Sequence, residues 1–455
     1  MGFKVEKKQT RILVPAGALG ISYSPEALEW GLAQKPDLIA IDGGSTDSGP
    51  FYLGTGTSKY SRSATKNDWS RLIKVQTRAQ VPLLIGTAGT CGANDAVDWM
   101  VDITKEICRE QGLHLRIAIL RSQQDPELIA KAWCTGKLTA LPGAPALTED
   151  VILSCQNIVA LAGVEQIQAA LATNADIIIA GRATDTAVIA ALPIAQGCHQ
   201  GAAWHGAKIA ECGALATNNP NTGVILMDFD EEGFTITPMD PNTQATPYTV
   251  SAHMLYENSD PHILPEPGGY LDVSQARYKP VNDRSVRVTG SQWKKTDPYT
   301  VKLEGARLQG YQTVTLVLVR HSRYVENIDL WTQKLSLQFK NKIQDTELSD
   351  VALDMRVVGK NATLGSLETR ESLAPELGVL AIFTAKTQKQ ARDAARLLNP
   401  DLLHLPLTPD EPMPTFAFPF SPPEMDKGPI YEFCLHHVLA LRDPMEIFSI
   451  DVQDI

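Results

Sequence analysis

A chain of 455 residues exceeds the usual size of a single domain, so two or three domains are expected. Hydrophobic residues make up 44% and charged residues 20%, an ordinary globular composition with ample material for a core. The formal net charge of -11 argues against a general nucleic-acid binder, although local charge can still suit an anionic substrate.

No apolar run approaches the length of a membrane span, so no membrane partner is expected. The apolar run in "MGFKVEKKQTRILVPAG" is too short for a signal peptide, and Glu6 stands where myristoylation at Gly2 favours Ser or Thr. The seven cysteines are scattered without a CxxC pair, which points to a reduced, cytoplasmic protein.

The first two hundred residues repeat one rhythm. "RILVPAG" reads as a strand, and "SPEALEWGLAQ" as a helix capped by Ser24 with Pro25 in its first turn. "PDLIAIDGG" and "VPLLIGTAG" read as strands around the helix "WSRLIKVQTRAQ". "NDAVDWMVDITKEICREQG" is an amphipathic helix with Asn94 as its cap. "LRIAILRS" and "ADIIIAGRATD" are further strands, while "NIVALAG" is ambiguous. Short, continuously apolar strands between amphipathic helices make the pattern α/β, with a mostly parallel sheet and flanking helices.

Near residue 225 the rhythm changes. "GVILMDFDEEGFTITPMD" reads as a hairpin, and "DRSVRVTGSQ" and "YTVKLEGARLQGYQTVTLVLVR" alternate in strand fashion, which makes an α+β region. The expected boundaries are 1–225 for the parallel-sheet domain, 226–405 for the α+β domain, and 406–455 for a proline-rich excursion with a small C-terminal module, "IYEFCLHHVLAL" being helix or strand.

In a parallel α/β sheet, ligands bind beyond the carboxyl ends of the strands. Four loops should therefore converge: Pro15–Ser24, Asp42–Pro50, Gly86–Asp95 and Gly181–Asp185. "GTAGTCG" is no standard phosphate motif, but its small residues before a strong helix read either as an anion nest or as a tight turn. Gly86, Thr87, Gly89, Thr90 and Gly92 are thus candidate substrate-binding residues. Cys91 in this loop reads as filler rather than as a nucleophile. Asp42, after an apolar run and before two glycines, is either a turn cap or a catalytic group. Arg182 after a buried strand either clamps a carboxylate or phosphate, or ties down Asp185.

The stretch "HGAKIAECGALAT" gathers a histidine, a lysine, a glutamate and a cysteine. On a straight helix His205 and Cys212 are about 10 Å apart along the axis, so this is not a zinc signature. His205 reads as a general acid–base group or as a structural one; Glu211 is a second catalytic candidate, Cys212 a core residue and Gly213 a helix terminus. His436 and His437 are adjacent and diverge in either helix or strand. No spacing demands a metal, although aspartates in the glycine loops are compatible with Mg²⁺.

"ADIIIAGRATDTAVIAALPIAQG" followed by "HGAKIAECGALATN" resembles the hallmark region of the acyclic terpene utilisation (AtuA-like) family. "DEEGFTITPMDPNTQATPYTVSAHMLYENSDP", "GGYLDVSQARYKPVNDRSVRVTGSQ" and "YTVKLEGARLQGYQ" continue the likeness, from about Ile12 to at least Ala374, with a small module attached C-terminally. The positions that carry over are Gly181, Arg182, Asp185, His205, Glu211, Cys212 and Gly213. The resemblance implies a catabolic enzyme for a branched carboxylate or its CoA thioester. It is expected to act as a lyase or hydratase, with a hydrolase or a non-catalytic binding subunit as alternatives, and to form a homo-oligomer.

Overall fold

The computed structural model describes residues 9–370, 372 and 374–455, so the reading of Gly2 and Glu6 lies outside the described residues. The chain forms two compact units, one of residues 1–307 with 433–455 and the other of residues 308–432. These divisions fall elsewhere than the boundaries read from rhythm alone, and the reason lies in the sheet.

In the first unit the elements that build the main sheet and its covering helices include, in chain order, β1 (Thr10–Val14), α1 (Pro25–Ala33), β2 (Leu38–Asp42), α2 (Arg62–Ala79), β3 (Leu83–Gly86), α3 (Asn94–Gln111), β4 (Arg116–Arg121), α4 (Val164–Leu171), β5 (Ile177–Ala180), α5 (Asp185–Ala195) and α6 (Gln200–Ala210). There follow β6 (Ile225–Phe229), β7 (Gly233–Pro238), β8 (Ile263–Glu266), β9 (Gly269–Asp272), β10 (Arg277–Pro280), β11 (Val286–Thr289), β12 (Gln292–Lys295) and, near the C-terminus, β13 (Ser449–Asp454). Their main sheet has the order β10-β11-β7-β6-β1-β2-β3-β5-β4-β13.

The central five strands, β1, β2, β3, β5 and β4, run parallel. They are the continuously apolar segments, because helices cover both of their faces: Leu38, Ile39, Ala40, Ile41, Leu83, Leu84, Ile85 and Ile177–Ile179 are almost wholly buried. The α/β class read from the sequence is therefore present. The expected hairpin also forms, but β6 pairs antiparallel with β1, and β7, β11 and β10 follow it. The sheet thus runs straight across residue 225. At the other edge β13 pairs antiparallel with β4, so the last residues also belong to this sheet.

The helices divide between the two faces. One core contains Leu28 of α1, Leu72 and Ile73 of α2, and Val97, Met100, Ile103 and Ile107 of α3. The other contains Ile167 of α4, Val188 and Ile189 of α5, and Trp204, Ala207 and Ala210 of α6. The helix after β3 therefore lies on one face and the helix after its neighbour β5 on the other. At such a divergence α/β sheets commonly bind ligands. Ser24 caps α1 with Pro25 in the first turn, as read, but Asn94 is not a cap: α3 already begins at Asn94, and Ala93 stands in the cap position without a side-chain hydrogen bond. "NIVALAG" begins within the strand Cys155–Ala160, and "IYEFCLHHVLAL" lies in the strand Glu424–Leu441.

The second unit pairs Tyr311–Val319 antiparallel with Leu377–Ala385, which pairs with Ala352–Val358. The helices Ile328–Ile343 and Gln388–His404 cover these strands through Trp331, Leu335, Phe339 and Leu398, packed with Val379 and Phe383. This is the α+β region read from the sequence. No helix among the described residues is long and apolar enough to cross a membrane.

The loops beyond β2, β3 and β5 pack backbone against backbone. A Cβ on Gly43 would lie 2.5 Å from the Thr87 carbonyl oxygen, and one on Gly92, whose φ is +64°, would lie 2.0 Å from the Arg182 nitrogen. We expect Gly92→Ala to combine backbone strain with overpacking and to lower stability by about 3 kcal/mol or more, measured as a shift of the urea midpoint.

Candidate active site at the ends of the parallel strands

Arg182 follows β5 directly and is only 5% exposed. Its Nε donates to Glu304 Oε2 at 3.1 Å, and its Nη1 donates to Thr87 Oγ1 at 3.2 Å, the Ala183 carbonyl at 3.1 Å and Asp185 Oδ1 at 3.4 Å. Glu304 also accepts from Thr46 Oγ1 at 2.8 Å and pairs with Lys302 Nζ at 2.8 Å. Burial alone would raise Glu304, but Arg182 and Lys302 outweigh it and hold the carboxyl at about 2. Burial works against the charge of Arg182, yet Glu304 and Asp185 keep it firmly protonated.

The Gly86–Gly92 loop stands behind this arginine. Thr87 and Thr90 are fully buried. The loop's amides are already engaged: Thr87 N donates to the Gly181 carbonyl at 3.0 Å, Ala88 N to Ala180 at 2.9 Å, Thr90 N to Gly43 at 3.1 Å and Gly92 N to Ala88 at 3.2 Å. These four N–H groups are spent within the protein, and the loop sets the position of Arg182 through Thr87. Gly86 admits the close approach of α5, since a Cβ there would lie 2.3 Å from Val188 Cγ2. Gly89 packs against Ala96. Burial pushes the Cys91 thiol up to about 11, as suits a filler residue.

Asp42 ends β2. Its Oδ2 accepts from Gly44 N at 2.9 Å, while Oδ1 is buried without a partner. Burial, and then the charge of Asp185, raise this carboxyl well above the usual range against the pull of Arg182. Asp185, the first residue of α5, is partly exposed, and burial raises it too.

The second half of the cluster comes from the end of α6. The helix closes at Ala210, so Glu211 occupies its C-cap and Gly213, with φ +60°, turns the chain back against Gly17 of the loop after β1. Lys208 and Glu211, both more than nine-tenths buried, form an ion pair between Nζ and Oε1. Burial pushes Glu211 up to about 8 against the attraction of Lys208. Burial alone would lower Lys208, but the charge and hydrogen bond of Glu211 raise it. Burial thus favours a protonated Glu211, while the Lys208 ammonium favours its carboxylate. The charges of Asp185 and Glu266 also act on Glu211, which places all four side chains in one electrostatic group.

Two neighbours of this group were not singled out in the sequence. Glu266 ends β8, and its Oε1 accepts from Thr186 Oγ1 at 2.5 Å. His253 is buried with Nε2 unpartnered, and burial, then Lys208, lower it to about 4. The sequence signal for Glu266 is a glutamate fixed between Pro265 and Pro267. Glu304 carried none, since "VKLEGA" reads as ordinary alternation.

His205 does not join them. It is fully buried, its Nδ1 meets Ser291 Oγ at 2.7 Å, its Nε2 meets Tyr278 Oη at 3.2 Å, and the rings of Phe234 and Tyr278 stand edge-on to it. Burial lowers it to about 3, so it is neutral between α6 and the antiparallel strands. Cys212 is half-buried and burial raises its thiol. Among the described residues no three His, Cys, Asp or Glu side chains form a group suited to a metal ion.

The Glu304 carboxylate is ionised in the fold down to about pH 2, against an ordinary value of 4.5. Its contribution to stability is therefore complete above about pH 4.5 and is lost as pH falls through about 2. Glu304→Gln, which leaves Arg182 buried without its carboxylate, should cost about 3–5 kcal/mol at pH 7. The gap from wild type should narrow as pH falls below 4.5, as followed by urea denaturation across pH.

No curated protein and no solved structure matches the chain. A family model described as "Acyclic terpene utilisation family protein AtuA" matches residues 71–403, which include β3, β5, α6, β8 and the strand bearing Glu304. The chain belongs to the acyclic terpene utilisation family AtuA.

Proposed function

We propose that this chain is a catabolic lyase or hydratase that acts beside the carbonyl of a branched carboxylate or its CoA thioester. The observation that carries the reading is the buried Lys208–Glu211 pair at the end of α6, whose carboxyl burial pushes up to about 8 against the attraction of Lys208. A general acid works best when it titrates near the operating pH. The ammonium beside it stabilises negative charge as it develops on a carbonyl oxygen, and burial strengthens that attraction.

In this reading Glu211 moves the proton and Lys208 holds the oxygen. Asp42, with its unpartnered Oδ1, offers a second proton. Asp185, partly exposed, stands nearest to solvent. Arg182 and the Gly86–Gly92 loop act as positioning groups, since the arginine is engaged by Glu304, Thr87 and Asp185. His205 acts as a core residue held by Ser291 and Tyr278. Family membership supports the catabolic setting.

The test is product mass spectrometry on branched and unsaturated acyl-CoA esters and their free acids, with and without Mg²⁺. A mass change of one water is expected, and turnover should fall as pH rises through about 8, where Glu211 loses its proton. Glu211→Gln should reduce turnover by about 100-fold or more, whereas folded His205→Asn should retain it. Free CoA would make the chain a hydrolase, and a folded protein with no product on the whole panel would overturn the proposal.

A further inference from the structure

Glu266 has the features of a built functional group without a structural task of its own. Its Oε1 is held by Thr186, whose hydroxyl lies 3.1 Å from Thr184 at the start of α5. Its Oε2 is buried and has no hydrogen-bond partner. A buried carboxylate oxygen left unpaired is costly, so one that persists calls for an explanation.

The backbone that carries it is tightly fixed. A Cβ on Gly163 would meet Pro267 Cβ at 2.7 Å, and one on Gly268, with φ +75°, would meet Tyr299 Cε2 at 2.6 Å. Tyr299 is itself anchored, its hydroxyl donating to Glu165 Oε2 at 2.8 Å. The hydroxyls of Thr186 and Thr184 act on the carboxyl through hydrogen bonds, and it feels the charges of Lys208, Asp185 and Glu211. Burial pushes Glu266 up to about 7, with the two threonines and Lys208 pulling it down and Asp185 pushing it up.

Resting on the proton-transfer reading above, we infer that Glu266 is a second catalytic carboxyl, the base that takes a proton from the carbon beside the carbonyl, and that the substrate is a β-hydroxy carbonyl compound. The free Oε2 receives the Cα proton. The C–H electron pair forms the new C=C bond as the carbon–oxygen bond to the β-hydroxyl breaks. Glu211 supplies its proton to the departing oxygen, which leaves as water. Atoms and charge balance: one carboxylate gains the proton that the other carboxyl gives up. The reverse sequence is hydration. Two carboxyls titrating close together and sharing one lysine suit this exchange of roles, since each must accept in one direction what it donates in the other.

The experiment separates the two proton transfers. Wild type, Glu211→Gln, Glu266→Gln and Glu266→Ala are incubated in D₂O with 3-hydroxybutyryl-CoA and its 3-methyl homologue. Deuterium at Cα and loss of water are then measured by mass spectrometry. Wild type should show both. Glu211→Gln should keep Cα exchange and lose dehydration, and Glu266→Gln should lose both by about 100-fold or more. Formate should restore exchange to Glu266→Ala, a rescue that a purely structural role does not allow. Exchange at the wild-type rate in Glu266→Gln, or loss in a folded Glu266→Ala that formate does not restore, overturns this inference and leaves the proposed function standing. A wild-type protein that dehydrates other members of the panel but neither of these probes overturns the substrate class alone. Silence on every compound overturns both readings.

Discussion

A guanidinium can be taken out of water only where carboxylates meet it in a fixed geometry, and the burial of Arg182 imposes that requirement on everything around it. Glu304 has to arrive from a strand 122 residues away in sequence, with Lys302 and Thr46 completing its contacts. Thr87 has to face the arginine from the loop after β3, which holds that loop in a conformation only glycine allows at Gly92. Asp185 has to begin α5 within reach, which fixes where the helix starts. The loops that end β3 and β5 are shaped by the need to satisfy one buried cation.

The same cluster carries more acid than base. Asp42, Asp185, Glu211, Glu266 and Glu304 interact with the cations Arg182, Lys208 and Lys302. Glu304 takes the strongest share of positive charge and is held ionised, while burial and mutual repulsion lift Asp42, Asp185, Glu211 and Glu266. Neighbouring carboxyls cannot all be charged in a poorly hydrated space, so protons are retained. A structural ion pair and a set of exchangeable protons thus arise from one arrangement, according to how closely each acid sits to a cation.

The parallel half of the sheet was legible because its strands are apolar on both faces, and runs such as "LIAID" and "DIIIAG" have no other economical reading. Asp42, Arg182 and Asp185 were legible for the same reason, since polar residues that end buried strands have to face the ligand edge. The antiparallel extension was not, because pairing of β6 with β1 depends on partners more than 200 residues apart. The glycine loop was misleading in one respect: small residues signal close backbone approach, but the approaching backbone is the protein's own. His205 and Glu211 sit on one short stretch, and only the end of α6 decides that Glu211 enters the acidic cluster while His205 faces the core. Glu304 and Glu266 had no periodic signature, because their burial is set by what covers them.

The route of the chain through its two units has a consequence for how the protein is made. Residues 308–432 are an insertion, and the first unit is completed only by residues 433–455. β13 supplies the edge partner of β4, and Ile455 exchanges backbone hydrogen bonds with Leu115 at 2.9 and 3.0 Å. A nascent chain leaves the ribosome N-terminus first, so β4 waits with an open edge while more than 300 further residues are synthesised. An exposed apolar strand edge is an aggregation hazard, and the hydrophobic run "RIAILR" has no Pro or Gly to blunt it. The segment 308–432 holds its own apolar core and can fold during that interval. The inserted unit has all its residues in hand before the last strand of the unit bearing the acidic cluster is made.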